Sequence, residues 1–321
     1  MEVSDGMKEE SLPPTLGMDG KKDLPIKMGL GQSPFQPPYS LIDAYSKAVK
    51  IPSLTKYQDP RGLKQLREAI AKQETLEEDG LKDADNVVVA PGAKAALTAM
   101  LAALKMQKFS TLILPVWHWS GYKPLADLFG FDVFTYDWME QEEMAKYIER
   151  LFVGRGLKGC IFVVTSPGNP WPRVPHMKNI QHVRNLLETY VPEKACMLID
   201  NVYAGFAEPL KGPLKGTTPI AVLRGISKTM GAAGWRCGWL SFSEREMANQ
   251  VTKAAATMWT CTNAPLQYAV WKKLKKPSEG YAKRTKMLMR ALVRSVDTCM
   301  PGSRPSTASH DGFFIVRKFT N

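Results

Sequence analysis

From residue 61 onward, short apolar runs alternate with amphipathic stretches. The segment from Leu63 to Glu74 places apolar side chains at Leu63, Leu66, Ala69 and Ile70. That spacing predicts a helix. Further on, unbroken or alternating apolar runs predict strands at Asn86–Ala90, Thr111–Leu114, Phe131–Tyr136, Cys160–Val164, Ala195–Ile199, Ile220–Leu223 and Trp239–Phe242. Helical patterns lie between them at Lys94–Lys105, through Ala126–Leu128, at Glu140–Leu151 and at Ile180–Leu187. Strands alternating with helices predict an α/β fold, a mainly parallel sheet with helices on both faces. Residues 1–24 are polar, carry a Pro-Pro pair, and read as a flexible tail. Residues 25–60 are dominated by glycines and prolines and read as a loop-rich N-terminal segment.

The chain has 321 residues, 44% apolar and 23% charged. This suits one large domain, or a large and a small one. No apolar run reaches the roughly 18 residues of a membrane span, so no membrane association is expected. The start, Met1-Glu2-Val3-Ser4-Asp5-Gly6, is polar and acidic, unlike a signal peptide. Five scattered cysteines without a CxxC pair argue against a disulfide framework or zinc site, and they fit a reducing, cytoplasmic compartment. The four histidines have no metal-ligand spacing, so no metal is expected. The net charge of +12 gathers late, from Lys272 to Arg294. No nucleic-acid-binding signature accompanies it, and a solvated helical face accounts for it. The positive field would favour anionic ligands.

Ligands of such sheets bind beyond the carboxyl ends of the strands. The unusual residues of this chain fall there. After the strand at 86–90, Gly92, Ala93 and Lys94 form a glycine turn opening a helix, whose free N–H groups suit a phosphate. After 111–114 comes an aromatic loop holding Trp117, Trp119 and Tyr122, any of which could stack on a flat ring. After 160–164 comes Ser166-Pro167-Gly168-Asn169-Pro170. After 195–199, Asp200 ends an apolar run and Tyr203 follows. A carboxylate in that place needs a cation. After 220–223 come Ser227 and Lys228, with Arg236 eight residues beyond Lys228 among glycines. A lysine held at a buried strand end can lose its proton and act as a nucleophile, and an arginine between glycines can approach a phosphate. One small molecule uses both, pyridoxal 5'-phosphate, whose aldehyde forms a Schiff base with lysine.

In this order the pieces resemble the class I/II, fold-type I, pyridoxal-phosphate-dependent aminotransferases, of the aspartate and aromatic kind. The resemblance runs from residue 28 to about 242. It implies transamination between an L-amino acid and a 2-oxo acid by a homodimer. It assigns Lys228, Asp200 and Tyr203 to catalysis. Gly92, Ala93, Lys94, Trp117, Asn169, Ser227 and Arg236 would join those three in binding the cofactor. Tyr57 resembles the tyrosine that reaches the phosphate across a dimer interface, and Gly29, Gly31 and Asn169 border the substrate. The resemblance implies a cofactor-binding large domain over 61–270 and a partial small α+β domain over 271–321. The chain departs from the family at Trp171-Pro172, where Thr-Gly is usual, and at Gly225, where a phosphate-binding serine is usual. In the family, the arginine for the substrate carboxylate lies beyond a strand that the run from Pro305 to Val316 resembles, so no residue here is assigned that role. Two other readings share the cofactor site: a lyase of the carbon–sulfur or aminocyclopropane-carboxylate-synthase kind, and a catalytically incomplete homologue.

Overall fold

The computed structural model describes residues 31, 33, 35–138, 141–157, 159–275, 279–299, 303–305 and 313–319. The expected tail at 1–24 and Gly29 lie outside the described residues. A seven-stranded sheet forms the centre, with strands β1 (Val87–Ala90), β2 (Thr111–Pro115), β3 (Asp132–Tyr136), β4 (Cys160–Thr165), β5 (Ala195–Asp200), β6 (Ile220–Gly225) and β7 (Gly238–Phe242). Their spatial order is β1-β7-β6-β5-β4-β2-β3. Strands β2 to β6 pair in parallel, while β7 runs antiparallel to both of its neighbours. The sheet is therefore mainly parallel, and each strand predicted from the sequence is present.

The central strands are buried on both faces because their side chains alternate between two cores. Ile161 and Val163 of β4, Cys196 and Leu198 of β5, and Ala221 and Leu223 of β6 enter one core. Phe162 and Val164, Met197 and Ile199, and Ile220 and Val222 enter the other. That alternation is the period of two of an extended chain. The first core is closed by α3 (Ala93–Met106), α4 (Tyr122–Phe129) and α8 (Arg245–Trp259). On α3, Leu97, Met100, Leu101 and Leu104 are at most 1% exposed. Each contributes about 1.5–3 kcal/mol of apolar burial. The second core is closed by α5 (Gln141–Glu149) and α6 (Met177–Tyr190). After α5 the backbone opens into a π-helical turn over Arg150–Gly154, which buries both Leu151 and Phe152. A third cluster joins α1 (Tyr39–Ala48), α2 (Lys64–Lys72) and α9 (Ala264–Lys275) against β1 and β7.

The basic stretch is less uniformly solvated than its composition suggests. On α9, Lys273 is buried and donates to Ser40 Oγ at 3.2 Å, while Lys272 and Lys275 lie over the Trp271 ring. Lys stems cover apolar surface readily, which makes this possible. A long helix, α10 (Glu279–Cys299), follows, and β8 (Ser303–Pro305) pairs antiparallel with β9 (Arg317–Phe319). Among the described residues no helix is long and apolar enough to cross a membrane, and no group of three potential ligands could hold a metal ion.

Candidate active site

The carboxyl ends of β4, β5 and β6 and the N-terminus of α3 surround a cavity of about 590 Å³. Asn169, Asp200, Tyr203, Ser227, Lys228 and Arg236 all line it. Gly31, Ala93 and Lys94 line it as well.

Lys228 lies in a short helix, α7 (Ile226–Thr229), which begins as soon as β6 ends. The strand buries its neighbours and holds the amine at the cavity edge. Burial, and then the nearby Arg236 cation, hold its pKa below the ordinary lysine value. Its Nζ donates to the Gly31 carbonyl. Arg236 adopts the left-handed backbone region, φ 58°, and donates to the Ala233 carbonyl at 2.8 Å and to Ser227 Oγ at 3.4 Å. Gly92, also left-handed at φ 93°, does not itself line the cavity but lets Arg236 approach α3. A Cβ at Gly92 would sit 2.2 Å from Arg236 Nη2. The result is an anion-binding corner of one guanidinium, one serine hydroxyl and the free N–H groups of a 14-residue helix. Ser227 sits in this corner although Gly225 replaces the serine usual three residues before the lysine.

On the opposite side, Asp200 Oδ2 accepts a 2.7 Å hydrogen bond from the Tyr122 hydroxyl, and Oδ1 accepts from the Val202 N–H at 3.3 Å. Loss of water raises the Asp200 pKa, and these two bonds only partly oppose the rise. A carboxylate so placed is an unneutralised partner for a cation. Tyr203 lies between it and Asn169, whose Nδ2 donates to the Tyr203 hydroxyl oxygen at 3.0 Å. Burial, and then Asp200, push the Tyr203 hydroxyl well above the usual phenol range. It remains a proton donor at neutral pH.

Trp117, the ring expected from the sequence to stack on the cofactor, does not line the cavity, and Trp119 does. Trp119 lines the cavity, packs edge-on against Tyr122 and lies beneath Lys94 Nζ at 5.3 Å. Trp117 is 54% exposed and stacks outside the cavity on Trp171 at 5.8 Å. The departure at Trp171 thus supplies a partner for Trp117, and Asn169 still faces Tyr203. Tyr57 is 87% exposed and does not join the cavity. Tyr122 was legible only as a candidate stacking ring, and its role toward Asp200 needed the structure. His118 and Phe314 also line the cavity. His118 Nδ1 lies 2.9 Å from the Pro115 carbonyl, and Phe314 lies 5.2 Å from the Tyr203 ring. Neither carried a spacing signal that marked it.

The donor set fits one cofactor: an amine for an aldehyde, an anion corner for a phosphate, a carboxylate for a ring nitrogen and a flat indole beside them. Comparison with known proteins agrees. The family model described as Aminotransferase class I and II matches residues 25–321. The chain belongs to that family. It is a pyridoxal 5'-phosphate-dependent aminotransferase. The aspartate aminotransferase of Thermotoga maritima is 29% identical over 290 residues, covering 85% of this chain and 74% of the relative. The asparagine–oxo-acid transaminase of Streptococcus mutans is 24% identical, covering 99% of this chain and 79% of the relative. Among solved structures, the alanine aminotransferase of Pyrococcus furiosus shares the fold with a TM-score of 0.75 at 23% identity, covering 90% of this chain and 76% of that one. The chain thus spans about three-quarters of the length of these relatives.

Proposed function

We propose that this enzyme moves the amino group of an L-amino acid to a 2-oxo acid with Lys228 as its reacting base. The observation that carries this reading is the single cavity that brings the Lys228 amine, the Asp200 carboxylate and the Asn169–Tyr203 pair together. Lys228 would hold the cofactor through Nζ, and Arg236, Ser227 and the N–H groups of Ala93 and Lys94 would hold its phosphate. When bound, pyridoxal phosphate supplies an electrophilic carbon and an electron sink. Asp200 keeps a positive charge at the ring nitrogen by pairing with it. Tyr203 and Asn169 donate to the ring oxygen. Trp119 covers the ring face and excludes water. Lys228 Nζ, deprotonated more readily than an ordinary lysine, would take the proton from the substrate Cα and deliver it to the cofactor's former aldehyde carbon, across the amino nitrogen.

A homodimer in a reducing, cytoplasmic compartment belongs to this reading. The first part is supported by Tyr57, which is exposed and does not line the cavity of its own chain. The free cysteines support the second. The division into a large and a small domain follows the same reading, with the break expected at 270–271 moved to the end of α9, because Trp271 and Leu274 still pack on the cluster of α1, α2 and α9.

The test is the visible absorbance of the chain with pyridoxal phosphate, before and after adding amino acids. A band that amino acids bleach with release of one equivalent of oxo acid, and that an acceptor oxo acid restores so that turnover continues, is the expected result. Lys228→Ala should retain the cofactor noncovalently and lose turnover by about 10⁴-fold or more. A Lys228→Ala enzyme with parental turnover would sink the assignment. Release of pyruvate and ammonia without an acceptor would show a lyase instead.

A further inference from the structure

Arg224 stands next to last in β6, four residues before Lys228, and lines a separate cavity of about 290 Å³ rather than the one holding Lys228. Its guanidinium makes three contacts. Nη2 donates to Glu74 Oε1 at 3.0 Å, and Nη1 lies 3.0 Å from Glu74 Oε2. Nε donates to Asn201 Oδ1 at 2.8 Å. Asn201 Nδ2 in turn donates to the Ser166 carbonyl. Glu74 is fixed from behind, because its Oε1 also accepts from the backbone N–H groups of Thr75 and Leu76 at 2.8 and 3.2 Å.

This chain of contacts lies where the sheet's own pairing stops. The last backbone bonds among the three central strands are Ser166 N to the Asp200 carbonyl and Asn201 N to the Leu223 carbonyl, each 2.9 Å. Beyond them the loops diverge. Ser166 lies three residues before Asn169, Asn201 two before Tyr203, and Arg224 four before Lys228. The Arg224–Asn201–Ser166 contacts therefore add one side-chain rung past the end of the ladder, between the three loops that carry the site.

The energetics point to geometry rather than stability. The Glu74 side chain is only 1% exposed and that of Arg224 16%. A buried ion pair returns little net stability, and an apolar pair of equal volume commonly does as well. A guanidinium, however, has a planar fork of donors in fixed directions, which a lysine or an aliphatic chain lacks. We propose that Arg224, anchored by Glu74, is a positioning residue for the aminotransferase site. It fixes the Asn201 amide, and through it the Ser166 loop, so that Asn169 and Tyr203 keep their spacing from Lys228. The inference rests on those three residues holding the cofactor.

The experiment uses the full chain loaded with pyridoxal phosphate. Three variants are compared with the parent: Arg224→Lys, Asn201→Ala, and the double substitution Glu74→Gln with Arg224→Met, which leaves no buried charge. The readouts are the visible circular dichroism per bound cofactor, the dissociation constant for pyridoxal phosphate, and the melting temperature of the apoprotein. Visible dichroism reports the orientation of the bound ring, which a change in stability alone does not move. All three variants should lose at least about half of that signal and bind the cofactor roughly ten-fold more weakly, the scale of a constellation loosened by a fraction of an ångström. The double variant should melt within about 2 °C of the parent, equivalent to roughly 1 kcal/mol. Asn201→Ala removes no charge and decides the question if the double variant does not fold. Parental dichroism and affinity in a folded Asn201→Ala or double variant would overturn the proposal. A parent that forms no visible band at all would overturn the cofactor-site assignment beneath it.

Discussion

Replacing Tyr122 by phenylalanine deletes one oxygen from a fully buried ring and leaves the ring packing in place. That oxygen is the 2.7 Å donor to Asp200 Oδ2, and without it the carboxylate keeps only the Val202 N–H at 3.3 Å. A hydrogen bond to a charged group contributes about 1.5–3 kcal/mol, and one between neutral groups about 0.5–1.5 kcal/mol. The cost therefore depends on whether Asp200 is ionised. Its folded-state pKa is raised by burial, so the folded protein binds more proton than the unfolded chain between the ordinary aspartate value and the raised one. Stability falls as pH rises through that window, and the full penalty applies above it. Losing the Tyr122 donor raises the folded pKa further, widens the window upward and deepens the penalty at neutral pH. Urea denaturation of the apoprotein should show Tyr122→Phe destabilised by about 2 kcal/mol above that window and by about 1 kcal/mol near pH 3, below the ordinary aspartate value, where the carboxyl is protonated. An equal loss at both pH values, or a larger one in acid, would refute the reasoning.

Cofactor affinity separates the two tryptophans. Trp119→Ala should weaken pyridoxal phosphate binding about five-fold, the value of one stacking contact, while Trp117→Ala stays within about two-fold in the same absorbance titration. The reverse order would place Trp117 at the cofactor. Gly92→Ala sets a Cβ against the Arg236 guanidinium, which must swing away, and puts a side chain in a nearly glycine-only backbone region, φ 93° and ψ 160°; it should cost about 1–3 kcal/mol of backbone strain in denaturation and most of the affinity for inorganic phosphate. Gly156→Ala, at φ 63° with nothing within 4 Å of the new Cβ and outside the cavity, should cost about 1 kcal/mol and leave the affinity for inorganic phosphate unchanged. Equal phosphate affinity in the two variants would remove the argument for an anion corner at Gly92 and Arg236.

The strand runs were legible because buried parallel strands need apolar side chains on both faces, and residues 160–164, 195–199 and 220–223 supply them without interruption. Lys228 and Asp200 were legible for the same reason, as polar residues that follow such runs and are costly there without a ligand, and Arg236 was legible from the glycines around it and its spacing from Lys228. The antiparallel β7 was not, because an apolar run carries no direction, and neither was the burial of Lys273 within a basic stretch.

The order of strand, loop and chemical group along the chain was determined by the sequence alone, since burial acts on each segment's own residues. The tertiary structure decided which of three aromatic rings faces the cavity, that Tyr122 serves Asp200, and that Glu74 reaches Arg224 across 150 residues. Those are contacts between segments. Their partners are chosen by how separate strand ends come together in space, and no local pattern of hydrophobic and polar positions encodes that meeting.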